Sequence, residues 1–279
     1  RQSVNTKDIP RGKISLKEVV GDVQQLHLDP SNANSFFQVA SQFNLLEMIS
    51  PSITPEHGLS GYEHDKTQGP TCAIAAGAAT IYRNYFVDVN GNKGQKSDNQ
   101  IDCLSDIGNA LGNTDSQLWQ MRNGYALASK EGLEAINKVF IEATEPQLDE
   151  LKGLLRIGVQ WNTDVTLNDA KHSVSQAYCS ALPVAYSRLP SDLWAKFAQL
   201  ILEASYEAIL CAGILNHAKT GNNKVYLTLL GGGAFGNERE WIISAIARAL
   251  DLYNDADLQV FIVGYGCSNK DVQELVSSF

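Results

Sequence analysis

The chain has 279 residues, of which 44% are hydrophobic and 19% charged, a balance typical of a globular protein that can bury a sizeable core. Its formal net charge is −9, and it contains no basic run that would attract nucleic acid or an anionic membrane, so neither partner is expected. No stretch approaches the ~20 uninterrupted apolar residues of a transmembrane helix, and none is expected.

The cysteines are odd in number, scattered and without any C-x-x-C pair. This pattern predicts free thiols in a reducing compartment such as the cytoplasm, and it argues against a zinc site. The chain begins at Arg1 and has no signal-peptide pattern, so we expect a processed or excised piece from which targeting segments are missing. The five are Cys72, Cys103, Cys179, Cys211 and Cys267.

In chain order, the first half predicts two strands, over 13–20 and 35–41, and then an alanine-rich helix over 71–85. Residues 88–116 are rich in Gly, Asn, Asp and Ser, and they predict a loop with at most one short helix. Helical patterns follow over 124–143 and over 145–155, where Pro146 suits a helix start.

The second half alternates more regularly. Residues 156–167 and 173–186 read as strands, and a long apolar-striped helix follows from Ser191, which we expect to be its N-cap. A buried strand over 224–230, a helix after the glycines and a last strand over 258–265 complete the pattern. Since no linker divides the chain, it predicts one α/β domain spanning 1–279 with a mixed or parallel sheet.

The segment KVYLTLLGGGAFGNEREWIISAIARAL runs from a strand through a glycine loop into a helix. Such a turn binds anions, usually phosphate, through backbone N–H groups and the helix N-terminus. Gly231, Gly233 and Gly236 also satisfy the G-x-G-x-x-G spacing of dinucleotide-binding turns. A Rossmann turn, however, needs an acidic residue at the end of the next strand. That strand ends in FIVGYGCS and has none, and a simple tight turn is the competing interpretation.

The N-terminal third, ISLKEVVGDVQQLHLDPSNANSFFQVASQFN, resembles the opening of a macrodomain, the ADP-ribose-binding family. Gly21, Asp22 and Val23 match its Gly-Asp-Ile turn, and Leu26 and Asp29 match the continuation. LLGGGAFGN then looks like the family's second phosphate loop and DKTQGPTCAIAAGAA like its first. The resemblance covers about two-thirds of the chain and implies a three-layer α/β/α fold with a mixed central sheet and a large insertion over about 86–155.

The resemblance also implies which residues bind ADP-ribose: Asp22 and Val23 at the adenine, and two phosphate loops with Asn44 nearby. Phe235, an aromatic residue inside the glycine loop, is a candidate to pack on the distal ribose, with simple loop packing as the alternative. The chain is more closely similar to a divergent, poly(ADP-ribose) glycohydrolase-like branch whose members include a hydrolase that releases ADP-ribose from an arginine of ubiquitin. The glycine triplet and paired glutamates of the glycohydrolases themselves are absent here. The implied loop residues are Gln68, Gly69, Pro70, Thr71, Gly231, Gly232, Gly233, Ala234, Gly236 and Asn237.

Cleavage of an N-glycosidic bond passes through an oxocarbenium-like state, so a carboxylate is needed to stabilise positive charge or to activate water. Four acids lie in the loop expected over the distal ribose. Asp65 is the first candidate because it lies only a few residues before the expected phosphate-binding turn from Gln68 to Thr71, and Glu47, just after Asn44, is the second. Glu56 and Glu63 complete the set. For each of them a solvated loop carboxylate or a turn cap is the alternative role.

The sequence therefore predicts an ADP-ribosyl hydrolase that acts on mono-ADP-ribosylated protein, with arginine as the favoured linkage and ubiquitin as one candidate substrate. ADP-ribose is its ligand and product, and no cofactor, metal, nucleic acid or membrane partner is expected. A non-catalytic ADP-ribose reader is one alternative. A Rossmann-type NAD-binding oxidoreductase is the other.

Overall fold

Strands form one large sheet and two small hairpins in the computed structural model, which describes residues 2–5 and 9–279. The large sheet contains the β-branched and aromatic runs that the sequence marks as strands. Within the described residues the strands are β1 Ser15–Val20, β2 Phe36–Ala40, β3 Asp88–Val89, β4 Asn92–Lys93, β5 Trp119–Arg122, β6 Tyr125–Ala128, β7 Gly158–Asp164, β8 Ser173–Cys179, β9 Lys224–Leu227 and β10 Gln259–Gly264.

Helices connect these strands, supplemented by short 3₁₀ turns such as Val184–Tyr186 and a π-helical turn, Tyr82–Phe86. The α-helices of the described residues are α1 Val23–Leu28, α2 Gln68–Ala75, α3 Gly77–Ile81, α4 Ser105–Leu111, α5 Lys130–Glu142, α6 Glu145–Gly153, α7 Ser191–Thr220, α8 Arg239–Leu252 and α9 Lys270–Ser278.

The strand order of the large sheet is β1-β10-β9-β2-β8-β7. Every neighbouring pair is parallel except β7, which runs antiparallel to β8 at the edge. The central strands β2 and β8 are buried along almost their whole length, on both faces, as expected for parallel strands covered by helices on each side. The predicted α/β fold, with three α/β/α layers and a mixed sheet, is confirmed.

The long helix α7 is the central helix of the core. It is long and apolar enough to cross a membrane by length and composition, but 78% of its most apolar window is buried inside the protein. Its N-cap is Pro190, and Ser191 is already the first helical residue, so the predicted N-cap was wrong by one position. Gly221, with a φ of 79°, ends the helix in the left-handed conformation that glycine favours.

Two predicted helices are interrupted. The helix expected over 71–85 begins three residues earlier, at Gln68, and breaks at Ala76, because the N–H of Gly77 donates to Thr166 Oγ1 at 2.8 Å instead of continuing the helical ladder. The helix expected over 124–143 is a strand, β6, followed by α5. Ser129 separates the two because its side chain caps α5 by accepting from the N–H of Gly132 at 2.9 Å.

The segment over 86–155 is a folded subregion with its own hairpins and helices. The part expected to be a loop, 88–116, contains the hairpin β3–β4 and the short helix α4. The second hairpin, β5–β6, packs its first residue, Trp119, against Phe197 of α7, with ring centroids 5.3 Å apart. This contact attaches the insertion to the core.

His27 of α1 is fully buried and uncharged. Its Nδ1–H donates to Val23 O at 2.7 Å and its Nε2 accepts from Gln176 Nε2 at 3.0 Å, while its ring stacks on Phe37 at a centroid distance of 3.9 Å. Burial lowers its pKa from 6.5 to about 4. Since a protonated ring would lose the acceptor atom that Gln176 needs, the neutral form supports the packing of α1 on the sheet.

We expect the stability of the protein to fall between pH 6.5 and pH 4 partly because of His27. The unfolded state binds this proton below pH 6.5 and the folded state only near pH 4, so stability is complete above pH 6.5 and decreases by about 3 kcal/mol on acidification. Urea denaturation at several pH values should show a smaller slope for His27→Gln than for the wild type. His64→Gln, at an exposed site, is the control, and an unchanged slope in His27→Gln would contradict the assignment.

Candidate functional site

A cleft runs along the carboxyl ends of the parallel strands, where ligands bind in open α/β sheets. It has two compartments, one of about 890 Å³ and one of about 230 Å³. The larger lies at the ends of β1 and β10, and the smaller at the ends of β2 and β8. Residues that line both compartments mark the junction between them: Asp65, Gln68, Thr228, Leu229 and Gly233.

Asp22 lies just after the end of β1 and lines the larger compartment. Its carboxylate caps α1 by accepting from the N–H of Gln24 at 2.7 Å, and the residue is exposed to the cleft. Val23, the first residue of α1, lines the same compartment. The two residues that the resemblance assigns to adenine therefore lie side by side at one end of the cleft.

The start of α2 is pressed against the end of β2. Gln68 Oε1 accepts from the N–H of Ala40 at 2.9 Å and its Nε2 donates to Gln38 O at 2.8 Å, so this side chain docks the helix on the strand. A Cβ at Gly69 would lie 2.0 Å from Ala40 O, which explains the need for glycine. Pro70 has no N–H, so the amides of Gln68 and Gly69 are the donors that the first turn presents beside the cleft.

The glycine loop after β9 lies across the junction from α2. Gly231 has a φ of 76°, and a Cβ there would lie 2.5 Å from the Ala181 side chain, whereas a Cβ at Gly233 would meet nothing within 4 Å. The N–H groups of Gly233, Ala234 and Phe235 have no acceptor among the described residues. The N–H of Gly232 donates to Leu229 O at 3.1 Å, so it is already paired and is a weaker candidate donor than its neighbours.

Asp65 lies at the junction of the two compartments. Its Oδ1 accepts from the N–H of Thr67 at 2.8 Å and from Thr67 Oγ1 at 2.7 Å. These bonds fix the carboxylate just before α2 and leave Oδ2 without a protein donor in the part of the chain that the structure describes. A carboxylate held in this way can orient a water molecule or stabilise positive charge in the cleft.

Glu47 lines the smaller compartment but is committed to a buried ion pair. Its two carboxylate oxygens accept from one guanidinium nitrogen of Arg83 at 2.8 and 3.1 Å, and both side chains are almost fully buried. Burial raises the pKa of Glu47, and the Arg83 charge opposes this shift. Arg83 also lies 3.5 Å above the centroid of the Tyr178 ring. Glu47 is therefore held more rigidly than a loop carboxylate.

Four predicted residues do not line the cleft. Glu56 is tied to the insertion: desolvation raises its pKa, but the hydrogen bonds that it accepts, chiefly from Ser97, together lower the pKa to about 2. Glu63 is exposed and pairs with His64. Asn44 is buried, with its side chain bonded to Gln100 and to the Leu46 N–H. Glu56 and Asn44 therefore connect the loop to the insertion, and sequence position alone had grouped Glu56 and Glu63 with Asp65.

Gly236 is the fourth predicted residue that does not line the cleft. Its neighbour Asn237 supports the loop after β9. Gly236 has a φ of 67°, and a Cβ there would lie 2.7 Å from the Ala185 side chain, so it serves the turn. Asn237 touches the larger compartment, but its Nδ2 donates to Leu182 O at 2.8 Å. Both residues therefore stabilise the conformation of the loop after β9.

Two tyrosines of the cleft escaped sequence analysis. Tyr125, from β6, and Tyr186, from the 3₁₀ turn after β8, line the smaller compartment together with Phe235. Their ring centroids lie 5.1 Å apart, and Phe235 is 5.3 Å from Tyr125 and 5.6 Å from Tyr186. No local motif marks them, because the three rings come from segments that are distant in sequence.

Comparisons with known proteins add no family assignment. No family model matches the chain, and no curated protein matches it. Among solved structures, it is similar to one described as "Alphavirus P23pro-zbd", with a TM-score of 0.36 and 13% sequence identity. That alignment covers 96% of this chain and 23% of the other, so this chain spans about a quarter of the length of the chain it matches.

The glycine loop yields a stability test. Gly231→Ala should lower the free energy of unfolding by about 1–3 kcal/mol, because the new Cβ meets Ala181 and the backbone must keep a positive φ. Gly233→Ala should leave it within about 0.5 kcal/mol of the wild-type value. Chemical denaturation measures both. Equal destabilisation by the two substitutions would contradict the close approach of Gly231 to Ala181 and the open space beside Gly233.

Proposed function

We propose that the protein is an ADP-ribosyl hydrolase that removes ADP-ribose from mono-ADP-ribosylated protein. The macrodomain resemblance supplies the ligand, the favoured arginine linkage and the candidate substrate ubiquitin. The observation that carries the proposal is that the cleft gathers Asp22, the free amides of the glycine loop, the first turn of α2 and Asp65, which come from both halves of the chain.

The larger compartment suits the ADP portion. Unpaired backbone N–H groups are present in the glycine loop and at the start of α2, two segments that both line the junction, and such donors can bind phosphate without a lysine cluster. Asp22 can accept from the exocyclic amine of adenine at the far end. A diphosphate held between the two loops would place the distal ribose at the junction, next to Asp65.

The smaller compartment suits the group to which ADP-ribose is attached. The scissile bond would then cross the junction, where Asp65 is the carboxylate whose second oxygen is available. Hydrolysis transfers the oxygen of one water to the anomeric carbon, and the electron pair of the C–N bond passes to the leaving nitrogen, which takes up a proton. Asp65 would orient this water and accept its proton.

Glu47 ranks second because its carboxylate is already neutralised by Arg83. It is also a poor subject for mutation, since removing one partner leaves the other charge buried, at a cost of about 3–5 kcal/mol. Effects of Glu47→Gln on activity would therefore be confounded with folding. Asp65 is half-buried and, among the described residues, its carboxylate accepts hydrogen bonds only from the neighbouring Thr67, so it can be changed to asparagine without that cost.

Ligand binding can be tested through Cys267, the one exposed cysteine of the five and a residue of the larger compartment. We expect ADP-ribose to slow alkylation of Cys267 by a maleimide in the wild type. Gly233→Val should abolish this protection at an unchanged melting temperature, because its Cβ meets no protein atom and the larger side chain occupies the phosphate region. Gly61→Val, at an open position outside the cleft, is the control. Full protection in Gly233→Val would contradict the assignment of the loop.

The catalytic assignment predicts that Asp65→Asn slows release of ADP-ribose from an arginine-modified protein by ~10² or more while ADP-ribose still binds. Single-turnover assays separate the two effects. Glu63→Gln and Glu56→Gln, in the same loop but outside the cleft, should retain wild-type rates. A wild-type rate in Asp65→Asn would exclude it as the catalytic carboxylate. A wild-type protein that binds ADP-ribose but releases it from no linkage would instead be a reader.

A further inference from the structure

The smaller compartment has an unusual combination of aromatic walls and charge. Tyr125, Tyr186 and Phe235 enclose one side of it, with ring centroids 5.1–5.6 Å apart. Among the described residues that line it, the charged side chains are Glu47 and Asp65, and none is basic. Because Arg83 neutralises Glu47, the compartment has one uncompensated negative charge, on Asp65.

The larger compartment has a mixed charge. Its lining includes the bases Lys66, Arg239 and Lys270 and the acids Glu18, Asp22 and Asp65. Among the described residues, basic side chains line only this half of the cleft, so an anionic group is better placed there than in the smaller half. A cation, placed against aromatic rings and within reach of Asp65, belongs in the smaller.

We propose that the aromatic compartment is a subsite for the guanidinium group of the modified side chain, and that Tyr186 is its specificity-determining residue. This inference deepens the proposed hydrolase function and rests on it for the identity of the substrate. A guanidinium is planar, stacks on aromatic faces and offers several donors to a carboxylate. An uncharged serine or glutamate ester linkage would gain neither interaction.

The protein already uses this chemistry in the layer beneath the compartment. Arg83 lies with its guanidinium 3.5 Å above the ring of Tyr178 and bonded to Glu47. The proposed subsite has the same combination of aromatic rings and a carboxylate. In the subsite, however, the rings and Asp65 line the cleft and are available to a ligand. Its volume of about 230 Å³ is sufficient for a guanidinium and its first methylene groups.

Tyr186 is the residue to change because it is 38% exposed, whereas Tyr125 is buried and its hydroxyl donates to Met48 O at 2.7 Å. Tyr186→Leu removes the aromatic face but keeps an apolar side chain. Tyr186→Phe keeps the face and is the conservative variant. Tyr82→Leu, at a similarly exposed tyrosine outside the cleft, is the matched control.

The probes are ethylguanidinium and ethylurea, which have similar shape but differ in charge, together with tetramethylammonium. Titrations followed by NMR of ring-labelled tyrosine and phenylalanine should show that the wild type, Tyr186→Phe and Tyr82→Leu all prefer ethylguanidinium to ethylurea. Tyr186→Leu should reduce that preference roughly 2- to 30-fold, the range expected for a cation–π contact. Equal binding of the two probes by the wild type, an unchanged preference in Tyr186→Leu, or tighter binding of tetramethylammonium would overturn the proposal.

An assay on ADP-ribosylated peptides distinguishes the guanidinium subsite from the proposed hydrolase function on which it rests. Tyr186→Leu should slow release of ADP-ribose from arginine by a similar factor, while the affinity for free ADP-ribose and any release from serine stay unchanged. Failure of the wild type to bind ADP-ribose would refute the proposed function but would leave the guanidinium titration interpretable. Equal slowing on every linkage would refute the specificity role of Tyr186 alone.

Discussion

The guanidinium of Arg83 connects four separate segments of the protein and thereby positions one wall of the cleft. It donates to Leu45 O at 2.8 Å, to both oxygens of Glu47 and to Gln160 of β7, and it stacks on Tyr178 of β8. An unpaired charge at this depth would be strongly unfavourable, so these contacts must form together. The loop after β2 is consequently fixed to the edge of the sheet. The wall of the smaller compartment that this loop forms is held in place with it.

The insertion braces the same loop from the other side. Gln95 Nε2 donates to Asn44 O and to Arg83 O at 2.9 and 3.0 Å, and Asn123 Nδ2 donates to Pro51 O. Ser97 holds Glu56 in the same way. Together with the Tyr125 ring, which lines the smaller compartment, these contacts make the insertion part of the cleft. Its sequence, rich in polar turn residues, gave no sign of this role.

The two compartments of the cleft differ in the side chains that line them. The larger has three basic side chains together with Glu18 and Asp22, the smaller has aromatic rings and no basic side chain among the described residues, and Asp65 lines both. A conjugate of a diphosphate and a cationic side chain matches this distribution, whereas a ligand that is anionic throughout does not. Asp65 stands where the two regions meet, and this position supports its proposed role more strongly than its residue type does.

The sequence by itself determined the alternation of strands and helices, the glycine turn and the helix that follows it, because these depend on local periodicity and on backbone freedom. It also identified Asp22, Asp65 and the phosphate loops as candidates. Only the tertiary structure separated Asp65 from Glu56 and Glu63, since burial and partners depend on residues such as Ser97 that lie far along the chain. The tertiary structure also decided that the helix breaks at Ala76, because Thr166 accepts the N–H of Gly77. It likewise brought together the three distant segments that form the aromatic compartment. Contacts between segments that are remote in sequence leave no local pattern, and for that reason the folded chain alone could specify them.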